Sequence, residues 1–201
     1  LLPALLIVII VSLPVAWNIL LPEQFIDYAK SLLSSVSFGS NFYWHYSLQE
    51  YGAESALLKP FLHTWSLAVE EQYYIIYPIL LAGIYTFCRK QTPLLLLFGL
   101  LISLAFAEWM TRSDPSFSFY MLPSRFWELL TGGLLASVLY LYPDKNSSGV
   151  LTRIMPSVGL LLIAHALSFD EYNSDHPGLI TLKPVLGMAL IIGFSNKSSY
   201  V

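Results

Sequence analysis

The run from Phe61 to Pro78, FLHTWSLAVEEQYYIIYP, places a His, a Ser, two adjacent Glu and three Tyr in otherwise apolar surroundings. Carboxylates beside imidazole and hydroxyl groups are the equipment of proton transfer and of acyl transfer to a hydroxyl. On a helix, His63, Ser66, Glu70, Tyr73 or Tyr74, and Tyr77 recur at i, i+3, i+7, i+10 or i+11, and i+14, which is one face. Glu71 is turned about 100° from Glu70, and His63 sits roughly 10 Å along the axis from Glu70, so these groups line one wall without touching. A charge at mid-bilayer costs about 2.5 to 3.5 kcal/mol, and two neighbouring carboxylates also repel. At least one of Glu70 and Glu71 is therefore expected to face a substrate path. The plainer alternative makes the pair a polar glue between helices. His63 has the same ambiguity, since a surface His before a helix needs no function, and Thr64 and Ser66 can serve as helix caps.

A second constellation is Pro123-Ser124-Arg125-Phe126-Trp127-Glu128 followed by Gly132-Gly133. Arg125 and Glu128, at i and i+3, are spaced to pair. The functional reading is an anion site in which Arg125 binds phosphate or carboxylate and Glu128 orients it. The structural reading is an interfacial ion pair, with the glycines admitting a neighbouring helix. His165 stands alone among Ala and Leu, where a packing role is favoured over a proton relay. No metal-ligand spacing, Gly-rich phosphate loop or nucleophile turn of the G-x-S-x-G kind is present.

These groups need elements to hold them, and composition says which. Of 201 residues, 56% are hydrophobic and 11% charged, with mean hydropathy +0.62. Soluble domains carry about 25% charge, so an all-α, polytopic membrane bundle is expected. The net charge of -3 and scattered basic residues exclude a nucleic-acid surface. Cys88, the single cysteine, cannot close an internal disulfide.

Six spans are expected: residues 1 to about 21, containing Pro14; Ser66 to Phe87; Pro93 to Met110; Arg125 to Tyr142; Ile154 to Phe169; and Leu179 to Phe194. Residues 22–60 read as an interfacial segment, with an amphipathic or re-entrant helix from Phe25 to Phe38 and an aromatic patch from Phe42 to Tyr46. Turn-forming clusters are expected at 111–115, 143–149 and 170–177. Arg89, Lys90, Lys145, Arg153 and Lys197 fall on one side, which the positive-inside rule makes cytoplasmic, with 22–60 outside. The chain opens within an apolar run with neither Met nor a basic leader, and reads as an internal stretch of a longer protein.

The segment from His63 to Tyr74 with Tyr77-Pro78 resembles the signature of the acyltransferase-3 family of polytopic membrane O-acyltransferases. Ser124 to Leu130 with Gly132-Gly133 resembles the family's second recurring segment. Pro177-Gly178 and Lys183-Pro184-Val185-Leu186-Gly187 are similar to a late segment of members that acetylate O-antigen lipopolysaccharide or other surface polysaccharides. The resemblance implies a bundle of about ten helices in a bacterial inner membrane. It also implies an acyl-CoA donor, acetyl-CoA in the simplest case, on the cytoplasmic side, and a surface glycan acceptor outside. By position it makes Glu70, Glu71 and His63 catalytic candidates, and Ser66, Trp65, Tyr73, Arg125 and Glu128 substrate-binding ones. The family's proposed catalytic His lies with an Arg on a helix preceding this chain, and its last, aromatic and His-rich helix lies beyond it. Glu70 or Glu71 would orient that His or relay its proton, while His63 would contact the acceptor sugar. A transporter or glycan-flipping module is the rival from another class, because it too places Glu, His and Arg inside a bundle. A structural membrane subunit is the third reading.

Overall fold

The computed structural model describes residues 2–49, 59–141, 150–169 and 176–194, and all regular structure among them is helical. In order these are α1 (Leu2–Ile19), α2 (Pro22–Val36), α3 (Ser40–Ser47), α4 (Thr64–Cys88), α5 (Thr92–Ser113), α6 (Pro115–Tyr120), α7 (Leu122–Leu141), α8 (Val150–Phe169) and α9 (Leu182–Phe194). Single 3-10 turns stand at Arg89–Gln91 and Leu179–Thr181. The expected turns at 143–149 and 170–175, with Lys197, lie outside the described residues. Two compact units divide the chain, Leu1–Ile76 and Tyr77–Val201, and the boundary falls within α4.

Two stretches, Leu2–Ile19 and Thr64–Ser113, are long and apolar enough to cross a membrane. The second contains α4 and α5, of 25 and 22 residues, each long enough for a hydrocarbon core of about 30 Å. They part at Cys88, whose φ of -143° and ψ of 42° leave helical geometry. Ile154–Phe169 and Leu179–Phe194 are apolar but shorter, and α7 opens with Arg125 and Glu128, which lower its hydropathy. All-helical architecture is thus met, while six full crossings exceed what length and composition alone carry. Along α1 only Ala16 is buried; Ile10 and Ile19 remain 68% and 73% exposed, a surface suited to lipid rather than water.

In the first unit, residues expected at the interface form α2 and α3. Trp44 and His45 are buried, whereas Phe42 and Tyr46 face outward. Ser12 on α1 shares a 2.7 Å hydrogen bond with the Tyr28 hydroxyl on α2. The start of α4 is held by a buried polar network. Thr64 Oγ1 donates to Phe61 O at 2.7 Å and shares a 2.8 Å bond with Ser35 Oγ, while Ser40 Oγ donates to Thr64 O at 2.8 Å. Trp44 Nε1 donates to Phe61 O at 3.2 Å. Two residues past Glu70, Gln72 Nε2 donates to Phe38 O and to Asn41 Oδ1, each at 2.9 Å. Phe38 has φ of 55°, a left-handed conformation that a bulky side chain adopts only under outside constraint. The Gln72 amide supplies one such constraint.

In the second unit α5 packs along α7, and α8 along α9. Leu96, Leu100, Ser103, Ala107 and Thr111 form the buried stripe of α5 at three- and four-residue spacing. Facing it, α7 buries Leu122, Ser124, Trp127 and Leu130. The Leu179–Thr181 turn precedes α9 because Pro184 cannot supply an amide, and only in the first turn is that amide unneeded.

Candidate functional site

Arg125 and Glu128 come together as their spacing requires, Nη1 to Oε2 at 3.7 Å, each side chain about one-fifth exposed at 21%. The polar corner that holds them is built from hydroxyls. Ser124 Oγ donates to Ser118 O at 2.7 Å and Met121 O at 2.9 Å, which fixes α6 against the first turn of α7. Ser103 on α5 donates to Pro123 O at 2.6 Å and accepts from Trp127 N at 3.0 Å, so one hydroxyl bridges a carbonyl and an amide one turn apart in α7 and ties that turn to α5. The Arg125 guanidinium lies over the Phe119 ring, 5.2 Å from its centroid, a stacking that a lysine could not reproduce. Burial pushes the neighbouring Tyr120 hydroxyl above the usual tyrosine range, so it stays a neutral hydrogen-bonding group.

Two residues that sequence spacing did not single out complete the cluster. Thr181 and His176 lie near enough to the Glu128 carboxylate to interact with its charge. The segment carrying them is pinned to the end of α5. Thr111 Oγ1 donates to Pro177 O at 3.3 Å, and Leu179 N donates to Glu108 Oε2 at 3.1 Å. Glu108 is itself paired with Arg112. A carboxylate paired with Arg125 and an imidazole within reach of its charge are the groups that proton transfer uses. The arrangement can therefore take a proton from a bound hydroxyl and hold an anionic group at Arg125. Among the described residues no group of three or more His, Cys, Asp or Glu could hold a metal ion.

The other expected site residues belong to the first unit. His63 is exposed on the turn before α4, its ring 6.3 Å from that of Phe61. Ser66 is half-buried and donates to His63 O at 3.2 Å. Trp65 is half-buried and Tyr73 is buried, while Tyr74 is exposed. Glu70 and Glu71 are half-buried; Glu71 lines a small cavity with Leu2, Leu5, Ser35, Phe38 and Leu67. Thr64, read as a simple cap, instead ties α4 to α2 and α3. His165 is exposed, 4.9 Å from the Phe169 ring, rather than packed inside. Of the two glycines on α7, only Gly133 meets a close neighbour, and it is the Tyr77 side chain rather than a helix backbone.

The chain aligns over 98% of its length with an uncharacterised protein of Haemophilus influenzae (strain ATCC 51907 / DSM 11121 / KW20 / Rd), 31% identical over 206 residues and spanning 83% of that protein. The chain belongs to that protein's family. Within reach of the same comparison, the peptidoglycan O-acetyltransferase OatA of Listeria monocytogenes is 27% identical over 194 residues, covering 90% of this chain and 30% of the relative. A Staphylococcus aureus (strain COL) protein, provisionally named an O-acetyltransferase, is 24% identical over 211 residues, covering all 100% of this chain and 35% of the relative. The chain thus spans about a third of the length of these two named relatives. No family model matches the sequence, and no solved structure matches it. The relationship to proteins named O-acetyltransferases supports an acyltransferase enzyme.

Proposed function

We propose that the protein is a multi-pass membrane O-acyltransferase of the acyltransferase-3 type in the bacterial cell membrane. It moves an acyl group, acetyl in the simplest case, from a cytoplasmic acyl-CoA to a hydroxyl of an extracytoplasmic glycan. In this reading residues 1–201 are part of the transmembrane domain, with six crossings and with 22–60 at the outer interface. The acceptor is a cell-surface polymer, by analogy with the Listeria relative whose name specifies peptidoglycan.

The observation that supports this most is the half-buried Arg125–Glu128 pair, with Thr181 and His176 within reach of its carboxylate's charge. His176 takes the proton of the acceptor hydroxyl as its oxygen bonds to the acyl carbon. Glu128 stabilises the resulting imidazolium, and the carbon–sulfur bond of the thioester breaks as the proton passes on to the leaving thiolate. Arg125 offers two donors to an anionic part of a substrate. On the first unit, Glu70 and Glu71 are the carboxylates proposed for proton transfer and His63 for acceptor contact. Ser66, Trp65 and Tyr73 are proposed to touch substrate.

Substituting His176→Asn in the producing cell, at equal expression, is expected to lower the O-acetyl content of surface polymers at least tenfold, measured as acetate released by mild base. A transport or flipping module would leave purified protein unable to consume acyl-CoA, and that result would reject the enzyme reading. Glu70→Gln and Glu71→Gln are near-isosteric and break no ion pair or hydrogen bond formed among the described residues. At least one should lower O-acetylation severalfold with unchanged protein abundance. Full acetylation in both would remove these carboxylates from the mechanism.

A further inference from the structure

In the second unit a cavity of about 230 Å³ opens between α8 and the start of α9. Ile163, Ala166 and Leu167 on α8 wall one side, and Ile180 and Pro184 wall the other. Its polar lining residues are His176 and Thr181, the same two that lie near the Glu128 carboxylate. The cavity exists because the two helices splay. At Gly159 and Gly187 they are so close that a Cβ on Gly187 would lie 2.6 Å from the Gly159 carbonyl oxygen and 2.8 Å from Ile163 Cγ1. Ile163 therefore forms the floor, and one turn nearer His176 the walls part around the cavity. Leu167, 71% exposed, stands at its open edge. The chemistry assigned above makes no use of these apolar walls.

From this placement we propose that the cavity is an acyl-chain pocket, which takes the hydrocarbon part of a short-chain acyl group on the donor; the assignment rests on the acyltransferase reading. In that reading the acyl carbon comes to His176, so the chain attached to it continues into the space beside the imidazole. Walls of Ile, Ala, Leu and Pro stabilise such a chain by removing it from water. A sugar ring would leave hydroxyls against those walls without partners. No Lys or Arg is among the described residues that line the cavity, so a phosphate finds no fixed cation there. A water-sized group occupies roughly 30 Å³, which gives room for a chain of about six or seven carbons. The Ile163 floor sets that upper limit. The transfer itself keeps its balance: the acceptor oxygen bonds to the acyl carbon, the carbon–sulfur bond breaks, and the proton taken by His176 passes to the thiolate, which leaves as the free thiol.

The test uses the protein in phosphatidylglycerol nanodiscs, with surface polymer stripped of O-acyl groups by mild base as acceptor and acetyl-, butyryl-, hexanoyl- and decanoyl-CoA as donors. Each buried methylene is worth about fourfold, so hexanoyl-CoA should exceed acetyl-CoA at least tenfold in kcat/KM, and decanoyl-CoA should fall below hexanoyl-CoA. Ala166→Phe fills the pocket and should lower the hexanoyl-to-acetyl ratio at least tenfold; the smaller change Ala166→Leu should lower it less. A ratio cancels the folded fraction, so lost stability cannot imitate this result. In a second readout, hexanoyl-CoA carrying a terminal diazirine should crosslink to residues 163–167 and be displaced by unlabelled hexanoyl-CoA. A flat chain-length profile, or a ratio unmoved by both substitutions, would overturn the pocket. Crosslinking of the same residues by diazirine-labelled phosphatidylglycerol that hexanoyl-CoA fails to displace would overturn it too, by assigning the space to bilayer lipid. Acetyl transfer with a flat profile removes the pocket alone, whereas displaceable crosslinking without transfer from any donor removes the acyltransferase reading and leaves an acyl-chain site.

Discussion

Replacing Glu128 by Gln is expected to lower O-acetyl transfer by about 100-fold or more, the range for losing a partner in acid–base catalysis. The protein should stay folded. Gln keeps the shape of the side chain and an oxygen that can accept from Arg125, but it carries no charge to stabilise an imidazolium at His176. Glu128→Ala is expected to behave differently, because it strands the Arg125 guanidinium, only 21% exposed, without its carboxylate. Removing one partner of a buried pair costs about 3 to 5 kcal/mol; partial exposure here should bring the loss to roughly 2 kcal/mol. Thermal denaturation separates the two variants, and acetate release measures their activity. Arg125→Lys extends the comparison, since lysine keeps the charge but loses both the fork and the stacking on Phe119. Wild-type transfer by Glu128→Gln would exclude the carboxylate from the chemistry, whatever its role in folding.

How much of this site could be read from sequence depends on whether its contacts are local. Arg125 and Glu128 pair because helical geometry alone brings i and i+3 together. His176 and Thr181 are some fifty residues away, and only the anchoring of Pro177 to Thr111 and of Leu179 to Glu108 brings them to Glu128. The late Pro177-Gly178 segment was a usable signal that something there was special, but not of what it touched. The same limit applies in the first unit. The polar residues of the Phe61–Pro78 run stood out, yet which of them are structural was hidden. Thr64 bonds Ser35 and Ser40, and Gln72 holds Phe38 and Asn41, through partners that hydrophobic periodicity cannot identify. Helix type and approximate extent were legible because apolar runs of this length favour helices. Their ends were less so: α7 begins at Leu122 rather than near Arg125, with Ser124 tying its first turn back to Ser118 and Met121 through contacts that apolar periodicity does not show.

The second large effect is expected at Gly187, where α9 meets α8. A Cβ there would lie 2.6 Å from the Gly159 carbonyl oxygen and 2.8 Å from Ile163 Cγ1, and a Cβ on Gly159 would collide with the Gly187 carbonyl. Because the obstacle is backbone, no rotamer change relieves it, and α8 and α9 must separate. Such close contact between small residues is what holds helices together where lipid removes the hydrophobic drive. Gly187→Ala should therefore cost about 3 kcal/mol, the upper range for overpacking. Activity should fall with it, since α9 follows directly on Thr181 and its displacement moves the Thr181 hydroxyl away from Glu128. Gly133→Ala should be milder, because the Tyr77 ring it meets can move, and Gly132→Ala should be neutral or slightly stabilising, with nothing within 4 Å of its Cβ. The double variant Gly159→Ala with Gly187→Ala should cost clearly less than the two singles added, since one separation of the helices accommodates both methyl groups. Strict additivity in thermal denaturation would mean that the glycines do not face each other, and the link from helix packing to the position of Thr181 near Glu128 would fall with it.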